Sequence, residues 1–356
     1  MAVKTTANCQ LQTANLLKMQ RKTYTFSGKK TIYYFNAEFS LLDQLVDPEK
    51  TVIVTDENIF NVHWRKLKGW KTIVLQPGEE NKIQSTVDSI IQQLIDFGAD
   101  RKTYLVGLGG GVVTDITGYA ASIYMRGIKF GFVPSSLLAM VDASIGGKNG
   151  IDVGPYKNLA GTIRQPEFLI YDNAFLKTLP QAEWVNGFAE IIKHACIKDS
   201  RLFKELEESN IRVYRNDKDA LSKLVQKNAM IKSNVVMEDE FEQGERKLLN
   251  FGHTWGHAIE TKYALPHGHA VSIGMAMACR ISEQLTGFKQ TKRVLNLLEE
   301  YGLPVEMEVD RKEVFEVLKM DKKKVNTSMN YVLLNDIGKA VIKSIPLEKL
   351  EVLVRS

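Results

Sequence analysis

Four of the six histidines in this 356-residue sequence lie within 17 residues of one another. The first two, His253 and His257, occur four positions apart in the stretch LNFGHTWGHAIE. Residues four apart lie on one face of an α-helix, so these two imidazoles could share a metal ion. The metalloprotease motif HExxH has this spacing, but it needs a glutamate after its first histidine as general base. Thr254 stands there instead, which excludes peptidase chemistry of that kind.

A zinc site on these histidines needs a further oxygen or nitrogen ligand, because the three cysteines are far apart and form no CxxC pair. The stretch GFAEIIKHA offers Glu190 on an otherwise apolar helix face, where an unpaired carboxylate is costly. Glu190 could pair locally with Lys193 or His194. Alternatively, it completes a site of one glutamate and two histidines with an open coordination position, which is typical of catalytic zinc.

A glycine-rich turn, GLGGGVVTD (107–115), follows a strand-like run and precedes a helix-like stretch. Glycines at such a turn let backbone N–H groups approach a phosphate, and the helix N-terminus adds favourable charge. The common dinucleotide fingerprint also has an acidic residue about 20 positions later, where this chain reads YMRGIK. The turn therefore indicates a nucleotide site of another kind, or else a tight turn that needs glycine for positive φ.

A second glycine-bearing stretch, MVDASIGGKNGIDVGPYKN (140–158), is dense in lysine, asparagine and aspartate. It predicts a binding loop, although an exposed turn with solvated lysines has the same composition. Cations occur in or beside all of these motifs, and if they converge they would suit a substrate with phosphate and carboxylate groups. The cations concerned are Arg126, Lys148, Lys157, Lys193 and Arg246.

The organisation of the chain changes near its middle. Up to about residue 175, β-branched or aromatic runs alternate with amphipathic segments, as in a largely parallel sheet covered by helices. The expected strands are TVIVTD (51–56), KTIVLQPG (71–78), KTYLVGLGGG (102–111), IKFGFVPSS (128–136) and FLIYD (168–172), with a helix at STVDSIIQQLIDFGAD. After Pro180 helical periodicity dominates. We therefore expect an α/β domain at residues 1–179 and an all-helical domain at residues 180–356.

Composition limits the classes of function. Hydrophobic residues make up 44% and charged residues 25%, as in soluble globular proteins. The net charge of +5 is mild and interspersed, which argues against a nucleic-acid partner and fits a small anionic substrate. No window of about 18 apolar residues predicts a membrane span, and the first residues do not read as a signal peptide. Three widely separated cysteines suit a reducing cytoplasm.

Seven motifs follow one another in the order and spacing found in the sugar phosphate cyclases: GGGVVTD, YMRG, PSSLLAMVDASIGGKNGID, KTLP, GFAEIIKHA, ERKLLNFGHTWGHAIE and HGHAVSIGM. Together they resemble the 3-dehydroquinate synthase family, from about Asp56 to Lys323. The resemblance implies a Rossmann-like α/β domain that binds NAD, an all-α domain that binds Zn²⁺ or Co²⁺, and an active site in the cleft between them. It also implies a cytoplasmic homodimer.

The resemblance implies roles for individual residues. The metal ligands would be Glu190, His253 and His267. Substrate groups would meet Arg126, Asp142, Lys148, Lys157, Asn158, Lys193, Arg246, Asn250, His257 and a lysine of the 322–323 pair. NAD would contact Asp56, Gly78, Glu79, Lys82, Gly111, Val112, Val113, Thr114, Asp115, Ser135, Ser136, Lys148, Lys157, Phe175, Leu176, Lys177 and Thr178. His253 would thus bind metal, while His257 would face the substrate phosphate and assist proton movement.

The implied reaction converts 3-deoxy-D-arabino-heptulosonate 7-phosphate into 3-dehydroquinate and phosphate, on the shikimate pathway to chorismate and the aromatic amino acids. Its steps are oxidation by bound NAD, β-elimination of phosphate, reduction and an aldol cyclisation. Three alternatives remain: a cyclase of another sugar phosphate, a metal-dependent polyol dehydrogenase of the same fold, and a non-enzymatic binding protein. The lysine-bearing GGKNG loop argues against the dehydrogenase, and the intact set of metal and cationic residues argues against loss of catalysis.

The sequence departs from the family pattern at a few positions. PGEENK (77–82) stands where Asp-Gly-Glu is common, and Ser135-Ser136 replaces a usual Thr-Thr pair, which preserves the hydroxyls. His269 occupies a position often held by glutamate, which makes it a rival metal ligand. The first 20 residues match no part of the pattern.

Overall fold

The computed structural model describes residues 18–154, 156–320 and 327–355. Its strands are β1 (Gln20–Phe26), β2 (Lys29–Phe35), β3 (Thr51–Asp56), β4 (Lys71–Leu75), β5 (Tyr104–Gly109), β6 (Lys129–Pro134), β7 (Lys148–Val153), β8 (Tyr156–Ile163), β9 (Phe168–Tyr171), β10 (Ser328–Asp336) and β11 (Lys339–Pro346). Its α-helices are α1 (Leu42–Leu45), α2 (Glu57–Leu67), α3 (Gln84–Asp96), α4 (Gly111–Ile123), α5 (Gln181–Lys198), α6 (Ser200–Glu207), α7 (Ile211–Asn216), α8 (Lys218–Glu238), α9 (His253–Tyr263), α10 (His267–Thr286), α11 (Thr291–Glu300), α12 (Arg311–Met320) and α13 (Leu347–Arg355).

The first half of the chain is built on a seven-stranded sheet in the order β1-β2-β9-β6-β5-β3-β4. All pairings are parallel except the β1–β2 hairpin. The first five residues of β3 and all four of β9 are buried, as expected of strands covered on both faces. The five predicted strands and the predicted helix, here α3, are confirmed. The β1–β2 hairpin was not predicted, and the loop expected at 140–158 contains a second hairpin, β7–β8.

The sheet order creates a crevice at one edge. The chain passes from β3 to β4 on one side and then returns across β3 to β5 on the other. In doubly wound folds, ligands bind outside the carboxyl ends of the strands where the winding direction changes in this way. Asp56, at the end of β3, and the glycine turn after β5 therefore flank the expected ligand crevice.

The second half is mainly helical, with α5, α9 and α10 packed together and α8 packed against α5. The helical character of the second half is confirmed, but the expectation that it is all-helical is wrong, because the antiparallel hairpin β10–β11 packs on α10. No helix in the described ranges has the length and apolarity needed to span a membrane. The boundary between residues 179 and 180 stays a prediction.

The two halves meet along α8. This helix contacts β1 and the π-helical turn Ala139–Ala143, which belongs to the α/β half. The hydroxyls of Ser233 and Tyr33 lie 3.2 Å apart across this contact. The turn Ala139–Ala143, which carries Asp142, therefore packs against α5 and α8. A segment of the α/β half thus lies beside the helices that carry Glu190 and Lys193 or pack on them.

Candidate active site

Three potential metal ligands from three helices meet in the helical half. Glu190 of α5 is fully buried, and its Oε1 lies 3.4 Å from Nε2 of His253 and 3.2 Å from Nε2 of His267. These residues each offer a ligand atom within 4.8 Å of the others. Glu190 and His267 are 77 positions apart in sequence. The packing of α5, α9 and α10 therefore creates this cluster.

The electrostatics of the cluster suit a metal ion. Burial alone would raise the pKa of the Glu190 carboxyl, but Lys193 and the two histidines outweigh it and hold that pKa well below its usual range. Nδ1 of His253 lies 3.1 Å from the Phe251 carbonyl, which can only accept a hydrogen bond. Nδ1 would therefore donate to this carbonyl, and Nε2 is the ring nitrogen that faces Glu190. One carboxylate and two imidazoles form a donor set that fits zinc with a coordination position left open.

The two remaining histidines of the motif lie outside this donor set. His257 has an exposed side chain, and its ring centroid lies 5.1 Å from that of His253 and 6.4 Å from that of His267. His269 is partly buried and belongs to no group of potential metal ligands among the described residues. The geometry therefore favours His267 over its rival His269.

A second charge cluster adjoins the first. The carboxylate of Asp142 lies 3.6 Å from Lys193 Nζ, 2.8 Å from Lys232 Nζ and 3.4 Å from His194 Nε2. Lys193 also pairs with Glu190. Burial would raise the pKa of Asp142, but Lys193 and Lys232 outweigh it and hold that pKa well below its usual range. The sequence left two alternatives for Glu190, a local ion pair or a place beside the histidines. The structure shows both contacts, because Glu190 pairs with Lys193 and also faces His253 and His267.

Lys232 was not predicted as a site residue, although its place in the helical pattern of α8 indicates that it is buried. It lies on the buried face of α8 in line with Asn228 and Val236, where a lysine needs a partner. Its Nζ also donates to the Asp142 carbonyl at 2.8 Å. A lysine on an apolar helical stripe was therefore a detectable sign of an ionic contact.

Three predicted substrate residues and one that was not predicted lie at the rim, the region where the start of β7 meets the segment 240–250. Lys148, which is 53% exposed, pairs with Glu242, and Asn250 Nδ2 donates to Glu242 Oε1 at 2.5 Å. Arg246 is buried and donates to the Gly146 carbonyl at 2.9 Å and to the Glu240 carbonyl. Glu242 was missed because its neighbours follow no regular pattern in the sequence.

The residues predicted to bind the cofactor lie mostly at the carboxyl edge of the sheet. Gly111 opens α4, so the free N–H groups of its first turn face the crevice edge. Lys82 pairs with Asp115 of α4 at 2.7 Å and donates to Asn158 Oδ1 of β8 at 2.6 Å. Lys82 therefore links β8 to α4. Lys82 and Lys157 also approach Glu79, at 3.8 and 3.9 Å.

Other predicted cofactor contacts have structural partners of their own. Asp56 caps α2 by accepting from the Ile59 N–H at 2.9 Å, and Thr178 Oγ1 lies 3.0 Å from His63 Nε2. Ser135 is bound through its N–H to the Gly109 carbonyl at 2.9 Å, and Ser136 caps the turn after it by accepting from the Ala139 N–H. Gly78 has a φ of 109°, which favours glycine. Val112 is partly buried and Lys177 is exposed. The other predicted contacts are buried: Val113, Thr114, Phe175 and Leu176.

Arg126, one of the predicted substrate residues, is not paired with any of the others among the described residues. Arg126 is exposed, with a φ of 67°, and its side chain makes no hydrogen bond or ion pair within the described ranges. The lysine pair at 322–323 lies outside the described residues. Lys157, in contrast, pairs with Glu260 of α9 at 2.6 Å and so reaches from the α/β half to the helical half.

An α/β half with a nucleotide-type crevice, joined to a helical half with a Glu-His-His cluster, defines a class of metal-dependent enzymes that use a nucleotide cofactor. Family models described as 3-dehydroquinate synthase N-terminal and C-terminal match residues 72–186 and 187–324. The chain belongs to the 3-dehydroquinate synthase family and is an enzyme of that type.

Individual relatives agree with this assignment. A 3-dehydroquinate synthase of Pyrococcus abyssi is 39% identical over 87% of this chain and 94% of its own length. That of Campylobacter concisus is 41% identical over 85% and 90%. Among solved structures, a 2-epi-5-epi-valiolone synthase from Streptomyces hygroscopicus with NAD⁺ and Zn²⁺ bound has a TM-score of 0.82 at 26% identity, covering 92% of this chain and 96% of that one.

More distant structures share the fold alone. A 2-deoxy-scyllo-inosose synthase complexed with carbaglucose-6-phosphate, NAD⁺ and Co²⁺ has a TM-score of 0.82 at 24% identity, covering 94% and 99% of the two chains. An iron-containing alcohol dehydrogenase from Thermotoga maritima has a TM-score of 0.65 at 13% identity, covering 95% and 99%. Cyclases and dehydrogenases thus use the same architecture.

Proposed function

We propose that this enzyme converts 3-deoxy-D-arabino-heptulosonate 7-phosphate into 3-dehydroquinate and inorganic phosphate, with NAD and one zinc or cobalt ion as resident groups. The observation that carries the proposal is the convergence of Glu190, His253 and His267 next to Asp142 and Lys193. The identity of 36–43% to relatives named 3-dehydroquinate synthase supports the same reaction. This reaction belongs to the shikimate pathway.

In this proposal Glu190, His253 and His267 hold the metal ion. When bound, the metal supplies a Lewis acid for substrate hydroxyls, and NAD supplies a reversible hydride acceptor. Asp142 and Lys193 lie beside the metal ligands, where they would orient substrate hydroxyls by hydrogen bonding. His257 lies on the same face of α9 as His253, and in this proposal it would move a proton near the leaving phosphate.

Cations would bind the anionic ends of the substrate. Lys148, Arg246 and Asn250 carry donor groups along the rim, with Glu242 between Lys148 and Asn250. Charge-assisted hydrogen bonds to phosphate or carboxylate are stronger than neutral ones, so fixed cations also orient the substrate. Lys157 and Asn158 on β8 extend this polar lining to the cofactor side.

On the other side of the cleft, the α4 N-terminus would bind the NAD pyrophosphate. The first-turn N–H groups of Gly111, Val112 and Val113 have no partner within the helix, and a helix N-terminus favours negative charge. The side chains of Val113 and Thr114 are buried, so these residues would contact the cofactor through their backbone. Asp56, at the end of β3, would accept a hydrogen bond from a ribose hydroxyl.

A cyclase of another sugar phosphate or a polyol dehydrogenase is the main competing function, since both share this fold. The dehydrogenase differs from both cyclases in what happens to the cofactor. A dehydrogenase produces one NADH per turnover, whereas the proposed cyclase regenerates NAD within each turnover.

We therefore expect substoichiometric NAD to support many turnovers of the heptulosonate phosphate by metal-loaded enzyme. Each turnover should release one inorganic phosphate, while absorbance at the reduced-nicotinamide band stays flat. A phosphate assay run alongside that absorbance checks both quantities. NADH formation in step with substrate loss, without phosphate, would establish the dehydrogenase instead. Phosphate release from glucose 6-phosphate or sedoheptulose 7-phosphate, but not from the heptulosonate phosphate, would point to another cyclase.

The anion-binding role of the rim can be tested at Lys148, because its side chain is half exposed and Lys148→Met should leave the fold intact. We expect the affinity for a non-reacting phosphonate analogue to fall by about 1.5–3 kcal/mol, roughly 10- to 150-fold, with NAD affinity changed much less. Calorimetry measures both. Lys102→Met is the matched control, because Lys102 is exposed at the opposite, amino end of β5. Unchanged analogue affinity in Lys148→Met would remove Lys148 from the proposed site.

The same proposal includes a homodimer. The β7–β8 hairpin exposes four large apolar side chains, Val153, Tyr156, Leu159 and Ile163, to between 42% and 63%. Such a patch is typical of a surface that another chain covers, and β8 pairs only with β7 among the described strands. We expect sedimentation equilibrium to give twice the chain mass, and Leu159→Lys to shift the protein toward monomer. A wild-type monomer at micromolar concentration would contradict this.

A further inference from the structure

Glu260 is a buried acidic residue that the reaction scheme above does not use. It lies on α9 and is 5% exposed. Its Oε1 is 2.6 Å from Nζ of Lys157 and 3.5 Å from Nδ1 of His267. Its Oε2 is buried and has no hydrogen-bond partner among the described residues. A carboxylate held in this way is costly unless it interacts with neighbouring groups.

The contact with His267 matches one made by the other ligand imidazole. In His253, Nδ1 faces the Phe251 carbonyl at 3.1 Å and Nε2 faces Glu190. In His267, Nδ1 faces Glu260 and Nε2 faces Glu190 at 3.2 Å. Each imidazole therefore has an acceptor behind it and directs its other nitrogen to the same carboxylate oxygen. Metal-binding histidines are commonly fixed in orientation and tautomer by such an acceptor.

We propose that Glu260 is a positioning residue for the metal site, which holds His267 through Nδ1 so that Nε2 points to the ion. This inference rests on the proposed function, because it takes Glu190, His253 and His267 as the metal ligands. Lys157 pairs with the buried Glu260 carboxylate at 2.6 Å and so compensates its charge beside His267.

A purely structural explanation is that Glu260 only ties the β7–β8 hairpin to the helical half through Lys157. The two explanations differ in which variant weakens metal binding. If Glu260 acts on His267, removing Lys157 leaves that contact in place and removes a positive charge near the ion. If the ion pair between the halves is what matters, removing either partner has the same effect.

The test is the zinc dissociation constant, measured with a competing chromophoric chelator in the absence of NAD and substrate. We expect Glu260→Gln to weaken zinc binding about 10-fold and Glu260→Ala up to about 100-fold, the range found for outer-shell partners of metal ligands. Lys157→Met should bind zinc as tightly as the wild type or more tightly. Glu207→Gln is the matched control, because Glu207 pairs with Arg293 on the surface at 2.7 Å.

The visible spectrum of the cobalt-substituted protein gives a second readout that does not depend on activity. A changed band pattern in Glu260→Gln, with the wild-type pattern in Lys157→Met, supports an altered orientation of His267. Unchanged zinc affinity in both Glu260 variants would overturn the inference, and so would an equal loss in Glu260→Gln and Lys157→Met. If Glu260→Ala does not fold, the isosteric Glu260→Gln carries the comparison. Failure of the wild-type protein itself to bind zinc or cobalt would instead contradict the proposed metal centre.

Discussion

Replacing His267 by alanine should reduce zinc affinity by more than about 100-fold, which exceeds the usual effect of removing an outer-shell partner. The reason is that His267 supplies one of the three ligand atoms that meet at the cluster among the described residues, and two donors hold zinc poorly. Glu190→Gln and His253→Ala should have effects of the same size. Turnover of the heptulosonate phosphate should be lost in step with zinc, and metal analysis after dialysis against a weak chelator measures the loss.

His269→Ala provides the matched control for this prediction. It removes an imidazole two positions away from His267 without touching the cluster of potential ligands. We expect its zinc content and activity to equal those of the wild type. Full occupancy in His267→Ala together with loss in His269→Ala would show that His269 is the ligand and that the observed geometry rearranges when metal binds.

The second large effect concerns stability. Asp142→Asn should lower the free energy of unfolding by about 3 kcal/mol, near the low end for breaking a buried ion pair, because the Asp142 side chain retains 19% exposure. Lys193 and Lys232 are both buried, and the substitution removes the negative charge of the Asp142 carboxylate that lies near each of them. Urea denaturation of the chelator-treated protein, followed by circular dichroism, measures the change without any contribution from metal.

Glu205→Gln is the control for Asp142→Asn, because Glu205 is 58% exposed and pairs with Lys227 at 3.0 Å. Exposed pairs contribute less than about 1 kcal/mol, so this variant should be nearly as stable as the wild type. Equal stabilities of the two variants would mean that water already compensates the charges around Asp142.

The depressed pKa of Asp142 also predicts that the stability of the fold depends on pH. Its pKa in the folded protein lies well below the usual value, because Lys193 and Lys232 outweigh the effect of burial. A depressed carboxyl pKa stabilises the fold above the unfolded pKa of about 3.9. That contribution is lost as the pH falls through the lower folded pKa. Stability should therefore drop more steeply below about pH 4 in the wild type than in Asp142→Asn.

The sequence by itself determined five of the seven strands of the central sheet and the helix α3. Buried parallel strands such as TVIVTD and FLIYD are continuous apolar runs, and α3 shows a clear helical stripe, so local pattern was sufficient. The glycine turn before α4 could also be read directly, since its position between a strand and a helix is a local property. The strands of β1–β2 and β10–β11 were not identified, because short hairpins depend on packing partners that lie far away in the sequence.

The tertiary structure alone decided which candidate groups meet. Sequence reasoning allowed Glu190 to be either a local partner of Lys193 or a metal ligand, and the crossing of α5 with α10 makes both contacts possible at once. The charged residues Lys232, Glu242 and Glu260 gain their significance from neighbours that lie far away along the chain, as when α8 packs on the turn that carries Asp142. Arg126 is exposed and makes no hydrogen bond or ion pair to the other candidate groups among the described residues. Periodicity in the sequence identifies the buried face of a helix. Which residues of another element contact that face is decided only when the two elements pack together.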